Sequence, residues 1–215
     1  MTEEMTAVGK RLPRVDGIEK ATGAAKYTGD IHLPGMLHGK ILRSPHAHAR
    51  ILGIDTAPAL ALPGGVAVYT GAELAAAGVQ PLPGPPPILK RPDGSPPASP
   101  ARRALAHEVA RYVGEAVAAV VAESRAAAID AAEAVWVDYE ALPAVSDPIA
   151  AMAPGAPALC PEAPDNVVAE MRSGDAAATD AAFARAAHVV RLELVNQRLA
   201  PSAMEPRVVL GEIEP

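Results

Sequence analysis

Two histidines lie close enough in the sequence to raise the question of a metal site. His46 and His48 are two residues apart, so on a β-strand they would share one face. A zinc site needs three or four protein ligands, and the nearest further candidates, His32 and His38, lack the spacing of helix-borne ligands. The pattern therefore favours histidines that form local hydrogen bonds, and we predict that this chain supplies no metal ligand.

Cys160 is the only cysteine, which excludes an internal disulfide and a cysteine-cluster metal site. It lies between Leu159 and Pro161 in a proline-rich connector. A nucleophilic thiol needs a nearby base and a depressed pKa, and nothing adjacent in the sequence supplies either. We predict an unreactive loop thiol.

Gly114 and Glu115 stand between two strand-like stretches. A glycine there permits a positive φ or a close approach of the backbone. Two interpretations stay open: a simple β-turn or bulge, or a loop that faces a partner domain or subunit. None of the glycine groups has the strand–loop–helix setting of a dinucleotide site.

The composition indicates a globular chain with a core of small side chains. Hydrophobic residues make up 50% of the 215 residues, but aromatic residues only 3%. Valine, leucine, isoleucine and alanine must then form the core. Because such side chains bury little area each, at about 25 cal/mol per Å², we expect a modestly stable unit that gains from packing against something else.

Charge and hydropathy exclude several functional classes. The net charge is −6 without a lysine–arginine cluster, so nucleic acid is not an expected partner. The longest apolar run, residues 116–122, has seven residues, far short of the roughly 20 that span a membrane. The acidic N-terminus lacks the apolar stretch of a secretion signal, so we expect a cytoplasmic protein.

Hydrophobic periodicity and turn residues predict alternating strands and helices of a mixed α/β (α+β) fold. Residues 80–100 hold nine prolines and are expected to form a long loop. The order strand, helix, strand over residues 115–140 suggests a βαβ-like unit. The predicted strands cover 36–43, 49–55, 66–69, 115–122, 135–140, 166–171, 188–198 and 208–213, and the predicted helices cover 57–60, 71–77 and 125–134, with one more that Asp175 or Thr179 caps and that ends near Ala187.

A series of short motifs, taken in order, resembles the N-terminal portion of the large, molybdenum-binding subunit of xanthine dehydrogenase/aldehyde oxidase-type hydroxylases. The resemblance covers residues of about 10–207, and its last pieces are most similar to the carbon monoxide dehydrogenase-like branch. The motifs are Arg14-Val15-Asp16-Gly17, Lys20-Ala21-Thr22-Gly23, Ala25 to Asp30, Pro34 to Gly39, Arg43 to Ala49, Pro63 to Val66, Arg111 to Val117, Tyr139 to Pro143, Gly174-Asp175, Asn196-Gln197-Arg198 and Met204-Glu205-Pro206-Arg207.

This resemblance implies a domain order. Residues 1–14 would be an N-terminal tail, and 15–142 an a/b hammerhead domain that carries the proline-rich excursion at 80–100. A linker over 143–165 would follow, rich in proline and alanine. Residues 166–215 would be the truncated start of a molybdopterin-binding domain.

The resemblance also implies an oxidoreductase that acts on an aldehyde, an N-heterocycle or CO with water as the oxygen source. Molybdopterin would be the cofactor of the full assembly. The remainder of the molybdopterin-binding subunit, an iron–sulfur subunit and a flavin subunit would be the partners. If Gly114-Glu115 is a loop that faces a partner, the resemblance implies that this partner is another domain or the iron–sulfur subunit.

The family's pterin-binding loops, the glutamine near the metal and the catalytic glutamate are expected beyond residue 215. Glu205 is therefore expected to be structural, and Gln197 receives no ligand role. We predict no catalytic, cofactor-binding or metal residue here, and an isolated chain that is inactive. The alternatives are a stand-alone, non-catalytic hammerhead-like interaction module and a truncated gene product.

Limited proteolysis tests the predicted loop over residues 80–100. Exposed loops are preferred sites of nicking, and Lys90 and Arg102 lie in or beside this segment, whereas Pro92 blocks cleavage after Arg91. Trypsin should cut first near Lys90 or Arg102, as mass spectrometry of the early fragments would show. Early cuts within 115–140 would mean that the strands and helix there are misplaced.

Overall fold

The computed structural model describes residues 9–196, 199, 201–203, 205 and 207–212. Contacts divide the chain into two units. The larger unit is residues 35–188, and the smaller one combines the N-terminal residues up to Pro34 with those from Val189 onward. The larger unit contains all the described strands.

In its described residues, the smaller unit carries one α-helix and one 3-10 turn. Helix α1 spans Gly17–Thr22, and the turn spans Thr28–Asp30. Arg14, before α1, and Lys20, within it, both pair with Asp16. Arg14 Nε lies 2.8 Å, and Lys20 Nζ 2.7 Å, from its carboxylate oxygens. The bonds from Arg14 and Lys20 lower the pKa of Asp16 to about 2.

The larger unit contains six strands and, among its described residues, five helices. The strands are β1 (His38–Arg43), β2 (Ala49–Asp55), β3 (Gly65–Thr70), β4 (Val109–Ala110), β5 (Ala116–Ala122) and β6 (Trp136–Ala141), and the helices are α2 (Ala57–Leu60), α3 (Gly71–Ala76), α4 (Arg125–Ala134), α5 (Pro148–Ala151) and α6 (Ala176–Arg185).

The first sheet has the order β1-β5-β3, and both of its strand pairs are antiparallel. Helix α4 packs on it through Ala128, Ala131 and Ala132, whose i, i+3, i+4 spacing puts them on one helix face. Ala131 and Ala132 belong to the same buried core cluster as Ala118 and Val120 of β5. The expectation of a core built from small side chains is confirmed.

The second sheet has the order β4-β2-β6 and contains a β-bulge. Ile51 pairs with Tyr139 and Gly53 with Asp138, so Leu52 is an extra residue on β2. The bulge allows Ile51 and Ile54, three residues apart, to lie on the same face of the sheet. Ile54 packs against the same core as α4, so the bulge joins this sheet to that core.

Several predicted elements are confirmed. Strand β2 and helix α4 have the predicted bounds, 49–55 and 125–134. The Ser124 hydroxyl accepts a hydrogen bond from the backbone N–H of Ala127 at 3.1 Å, as expected of an N-cap. Asp175 is the cap of α6, since its carboxylate accepts from the N–H of Ala178 at 2.9 Å.

The predicted βαβ-like unit is wrong. Strand β5 is hydrogen-bonded to β1 on one side and to β3 on the other, so it has no free edge for β6. Strand β6 pairs instead with β2 in the second sheet. Helix α4 therefore connects two sheets rather than two neighbouring strands of one sheet.

The proline-rich loop at 80–100 contains no helix and no strand, as predicted. It is held by isolated backbone bridges between Leu82 and Arg102 and between Lys90 and Glu170. The strand predicted over 166–171 does not form, and only Glu170 of this segment takes part in a bridge. A segment with only one paired residue cannot propagate a ladder.

The strands predicted over 188–198 and 208–213 do not form in their described parts. Residues 188–196 and 208–212 are neither helix nor strand, and Gln197, Arg198 and Ile213 lie outside the described residues. Strands require a hydrogen-bonded neighbour, and these segments have none within the part of the chain that the structure describes.

Overpacking at α4 tests the small-residue core. Ala131 is 1% exposed against the first sheet, whereas Ala126 on the same helix faces solvent. Ala131→Leu should lower the free energy of unfolding by about 1–3 kcal/mol because the core has no room for the added carbons. Ala126→Leu should change it by less than about 0.5 kcal/mol in the same urea titration. Equal effects at both positions would contradict this packing.

Candidate functional site

Three of the sequence motifs meet at one corner of the larger unit. They are the loop 44–48 after β1, the turn 111–115 between β4 and β5, and residues 139–143 at the end of β6. We call this corner the motif junction.

Ser44 is the centre of the motif junction. Its N–H donates to the carbonyl oxygen of Glu115 at 2.8 Å, and its carbonyl accepts from the N–H of Gly114 at 2.8 Å. Its hydroxyl accepts from the N–H of His46 at 3.1 Å. Ser44 is 2% exposed, so these bonds satisfy polar atoms that have lost contact with water.

The turn at Gly114 has a backbone geometry that favours glycine. Gly114 has a φ of 90°, in the left-handed region. Glu115 donates its N–H to the carbonyl of Tyr112 at 3.2 Å, which closes a β-turn. The Arg43 guanidinium donates to the Gly114 carbonyl at 2.8 Å across the bulge that interrupts the β1–β5 register. The first interpretation of Gly114-Glu115, a β-turn beside a bulge, describes the local structure.

The two histidines of the motif loop do not point to a common ligand. The His46 ring lies against that of Tyr139, with centroids 4.8 Å apart and planes tilted by 55°. His48 uses Nδ1, which donates to the carbonyl oxygen of Pro143 at 2.7 Å. Each ring fixes the end of β6 against the loop after β1. His48 forms a hydrogen bond, as the sequence interpretation expected, although its acceptor is not local but 95 positions away, and His46 forms a ring contact instead.

The remaining histidine candidates lie elsewhere. His38 begins strand β1, and His32 belongs to the smaller unit. Among the described residues, no group of three or more histidine, cysteine, aspartate or glutamate side chains is arranged to hold a metal ion. The prediction that the chain supplies no metal ligand stays a prediction.

Tyr139 is the residue of the motif junction whose pKa is perturbed. Partial burial raises the pKa of its phenol, and a hydrogen bond with the Ser44 side chain offsets part of the increase. The phenol therefore stays protonated over the physiological range. It acts as a neutral hydrogen-bonding and stacking group rather than as a base.

A polar cavity of about 300 Å³ adjoins the turn. Arg111 and Glu115 line it, together with Glu162 from the connector before α6. The Glu115 carboxylate accepts from the N–H of Arg111 at 2.5 Å, whereas Arg111 Nε is buried without a hydrogen-bond partner among the described residues. A bound water or small polar group would satisfy that N–H.

Cys160 lies close to this arginine, but its environment does not activate it. Burial raises the pKa of the thiol, and the nearby Arg111 guanidinium lowers it only in part. A protonated thiol is a poor nucleophile. This agrees with the predicted unreactive thiol.

The part of the chain that the structure describes shows no site at the two remaining candidates from the sequence, Glu205 and Gln197. Glu205 is exposed, and Gln197 lies outside the described residues. The structural role expected of Glu205 and the absence of a ligand role for Gln197 therefore stay predictions. Sequence reasoning missed Ser44 as the partner of the turn and Tyr139 as a partner of Ser44 and His46. Both residues could have been found from the sequence. Ser44 directly follows a strand and precedes a proline, and Tyr139 lies on the inward-facing side of β6, where apolar and polar residues alternate.

The described residues of the motif junction hold backbone segments in place and do not form a catalytic arrangement. Their hydrogen bonds involve backbone carbonyl and N–H groups, the Ser44 hydroxyl and the carboxylates of Glu115 and Glu140. The raised pKa values keep Tyr139 and the neighbouring Cys160 protonated. The arrangement contains no nucleophile beside an activating base among the described side chains. What it can do is fix the ends of β1, β5 and β6 relative to one another.

Comparison with known proteins agrees with this geometry. Residues 22–143 match the family model for the aldehyde oxidase and xanthine dehydrogenase a/b hammerhead domain, and residues 159–215 match that for a molybdopterin cofactor-binding domain. The chain therefore belongs to the aldehyde oxidase and xanthine dehydrogenase family, which confirms the resemblance and the mixed α/β fold class.

Among its relatives is the nicotine 6-hydroxylase large subunit of Paenarthrobacter nicotinovorans, 40% identical over 211 residues, or 96% of this chain and 24% of the relative. The carbon monoxide dehydrogenase large chain of Afipia carboxidovorans is 38% identical over 94% of this chain and 25% of its own length. A solved Cu,Mo-CO dehydrogenase superposes with a TM-score of 0.68 at 38% identity, covering 84% of this chain and 23% of that one.

The chain thus spans about a quarter of the length of the curated relatives it matches. The matched portion includes the whole motif junction. Separately, no helix among the described residues is long and apolar enough to cross a membrane.

Gly114→Ala tests whether the turn holds the junction. A side chain at a φ of 90° is strained, so the substitution should lower the free energy of unfolding by about 1–2 kcal/mol. Gly53→Ala is the matched control, since an added Cβ there meets no atom within 4 Å and its φ is not in the left-handed region. Chemical denaturation of both variants gives the comparison. A Gly114→Ala chain as stable as the Gly53→Ala chain would show that the turn is not constrained.

Proposed function

We propose that this chain is the N-terminal part of the large subunit of a molybdenum hydroxylase and works there as a scaffold. The observation that carries the proposal is the motif junction. Its side chains and backbone groups bind one another, and the hammerhead match spans all of them. In this proposal the chain supplies contact surface and position, and the cofactor supplies the hard chemistry.

The described residues do not form a cradle for molybdopterin. In the segment that matches the cofactor-binding domain, Ala163 is the one described residue that is buried. A cofactor pocket needs converging polar groups in a concave, water-excluding site. We therefore assign no catalytic, cofactor-binding or metal role to any residue of this chain and derive no chemical step through the cofactor.

At the level of the assembly, we propose oxidation of an aldehyde, an N-heterocycle or CO, with water as the oxygen source. The relatives named for nicotine and carbon monoxide, and a solved quinoline 2-oxidoreductase from Pseudomonas putida that is 43% identical with a TM-score of 0.57, support this range. That last match covers 66% of this chain and 17% of the other.

The partners in this proposal are the remainder of the molybdopterin-binding subunit, an iron–sulfur subunit and a flavin subunit, in the cytoplasm. A relative named as subunit gamma of a dehydrogenase complex, 35% identical over 211 residues, supports a multi-subunit assembly. The proposed domain limits remain 15–142 for the hammerhead, 143–165 for the linker and 166–215 for the start of the cofactor-binding domain.

A second candidate is a stand-alone interaction module. The observation in its favour is that residues 35–188 form a compact unit with their own core. In contrast, Val190, Leu192 and Leu194 are exposed in the segment after that unit. Exposed apolar residues of this kind mark a surface for further protein.

A chimera distinguishes the two candidates. This chain would replace the matching quarter of the nicotine 6-hydroxylase large subunit, expressed with that enzyme's other subunits. We expect the chimera to contain molybdenum and to co-purify with them, whereas the isolated chain should show neither molybdenum by metal analysis nor a flavin or cluster spectrum.

Two controls make the outcome informative. A chimera with Gly53→Ala should assemble normally, and one with Gly114→Ala should assemble in lower yield. Stoichiometric molybdenum on the isolated chain would contradict the scaffold role. A folded chimera that excludes the other subunits, with an isolated chain that is a stable monomer, would favour the stand-alone module.

A further inference from the structure

The second sheet has one face that no other described element covers. Ile54 of β2 and Val137 of β6 pack against the core. Side chains alternate along a strand, so their neighbours Asp55 and Trp136 lie on the opposite face, where the register pairs them directly across the two strands. Asp138, two residues after Trp136, shares that face.

This outer surface is apolar at its centre. Trp136 is 71% exposed and Leu52 is 57% exposed. Leu52 is the extra residue of the bulge, which places two residues of β2 opposite Asp138. We define the Trp136 face as Leu52, Asp55, Trp136 and Asp138. A large exposed indole that shares a sheet face with an exposed leucine has the composition of an interface anchor.

The same face has an excess of negative charge. Within the part of the chain that the structure describes, the Asp138 carboxylate forms no ion pair and no hydrogen bond. Asp55 accepts only the backbone N–H of Ala57, at 3.0 Å. Arg50, which lies on the same face of β2, is already paired with Glu140 across the strands at 2.5 Å. Two carboxylates without a cationic partner therefore flank the indole.

We propose that the Trp136 face binds a basic surface of a protein partner that presents arginine next to an aliphatic side chain. A guanidinium can stack on the indole and pair with the Asp138 carboxylate at the same time. The aliphatic group would cover Leu52. This inference goes beyond the proposed function, since it needs neither the cofactor nor the rest of the large subunit.

Charge complementarity argues for this occupant over a second copy of the chain. A symmetric dimer centred on Trp136 would bring the Asp55 and Asp138 carboxylates of both copies together. Like charges placed opposite one another are unfavourable, and the chain carries a net charge of −6. A basic partner instead gains from the same carboxylates.

Trp136 is the only tryptophan, so its fluorescence reports on this face alone. The probe is a blocked synthetic peptide of alternating arginine and leucine, titrated into the full chain. A second peptide has glutamate in place of arginine. We expect the arginine peptide to shift or quench the emission saturably, more weakly at high salt, and the glutamate peptide to have no effect.

Variants locate the binding. Asp138→Asn should raise the Kd about threefold, because one exposed charge pair is lost. Asp180→Asn, which removes the same charge from helix α6, should leave it unchanged. Trp136→Ala should raise the Kd by about tenfold or more in calorimetry, as expected of an anchor residue.

Three outcomes would overturn the proposal. The first is an emission that does not respond to the arginine peptide. The second is equal weakening by Asp138→Asn and Asp180→Asn, which would show nonspecific attraction to an acidic chain. The third is an emission that depends on protein concentration alone, with dimers in sedimentation that Trp136→Ala abolishes, which would assign the face to a second copy.

Discussion

The paired backbone hydrogen bonds between Ser44 and the Gly114–Glu115 turn are the constraint on which the larger unit depends. Both bonds measure 2.8 Å, and they join the loop after β1 to the start of β5 where the regular register is interrupted. The same loop then holds β6, through the His46–Tyr139 ring contact and the His48–Pro143 bond. Strands of two different sheets are thereby fixed at one corner. Helix α4 packs its buried alanines into the core that both sheets contact.

Much of this could be predicted from local sequence. Strand β2 and helix α4 had the right bounds because apolar periodicity and the Ser124 cap act within a few residues. The pairing of strands could not be predicted, because β5 and β6 follow one another around a helix just as they would in a βαβ unit. Only the occupation of both edges of β5, by β1 and β3, assigns β6 to another sheet.

The same limit applies to the candidate site. The sequence motifs marked Gly114 and the two histidines, but not the buried Ser44 that joins them, since its partners lie about 70 positions away in the chain. Strands expected after residue 188 failed for a related reason. Their alternating pattern is real, yet a strand exists only with a hydrogen-bonded neighbour, and their described residues have none. The exposed Trp136 likewise became visible only once the register showed which face of β6 meets the core.

The central claim is that these family motifs stabilise the junction of strand ends rather than perform chemistry. Native-state hydrogen exchange at the amides of Ser44 and Gly114 tests it most directly, since each donates one of the paired bonds. If the claim holds, both amides exchange only through global unfolding, with the same free energy as amides in the centre of β5. Exchange of these two amides at the rates of the open loop at 80–100, with β5 still protected, would contradict it.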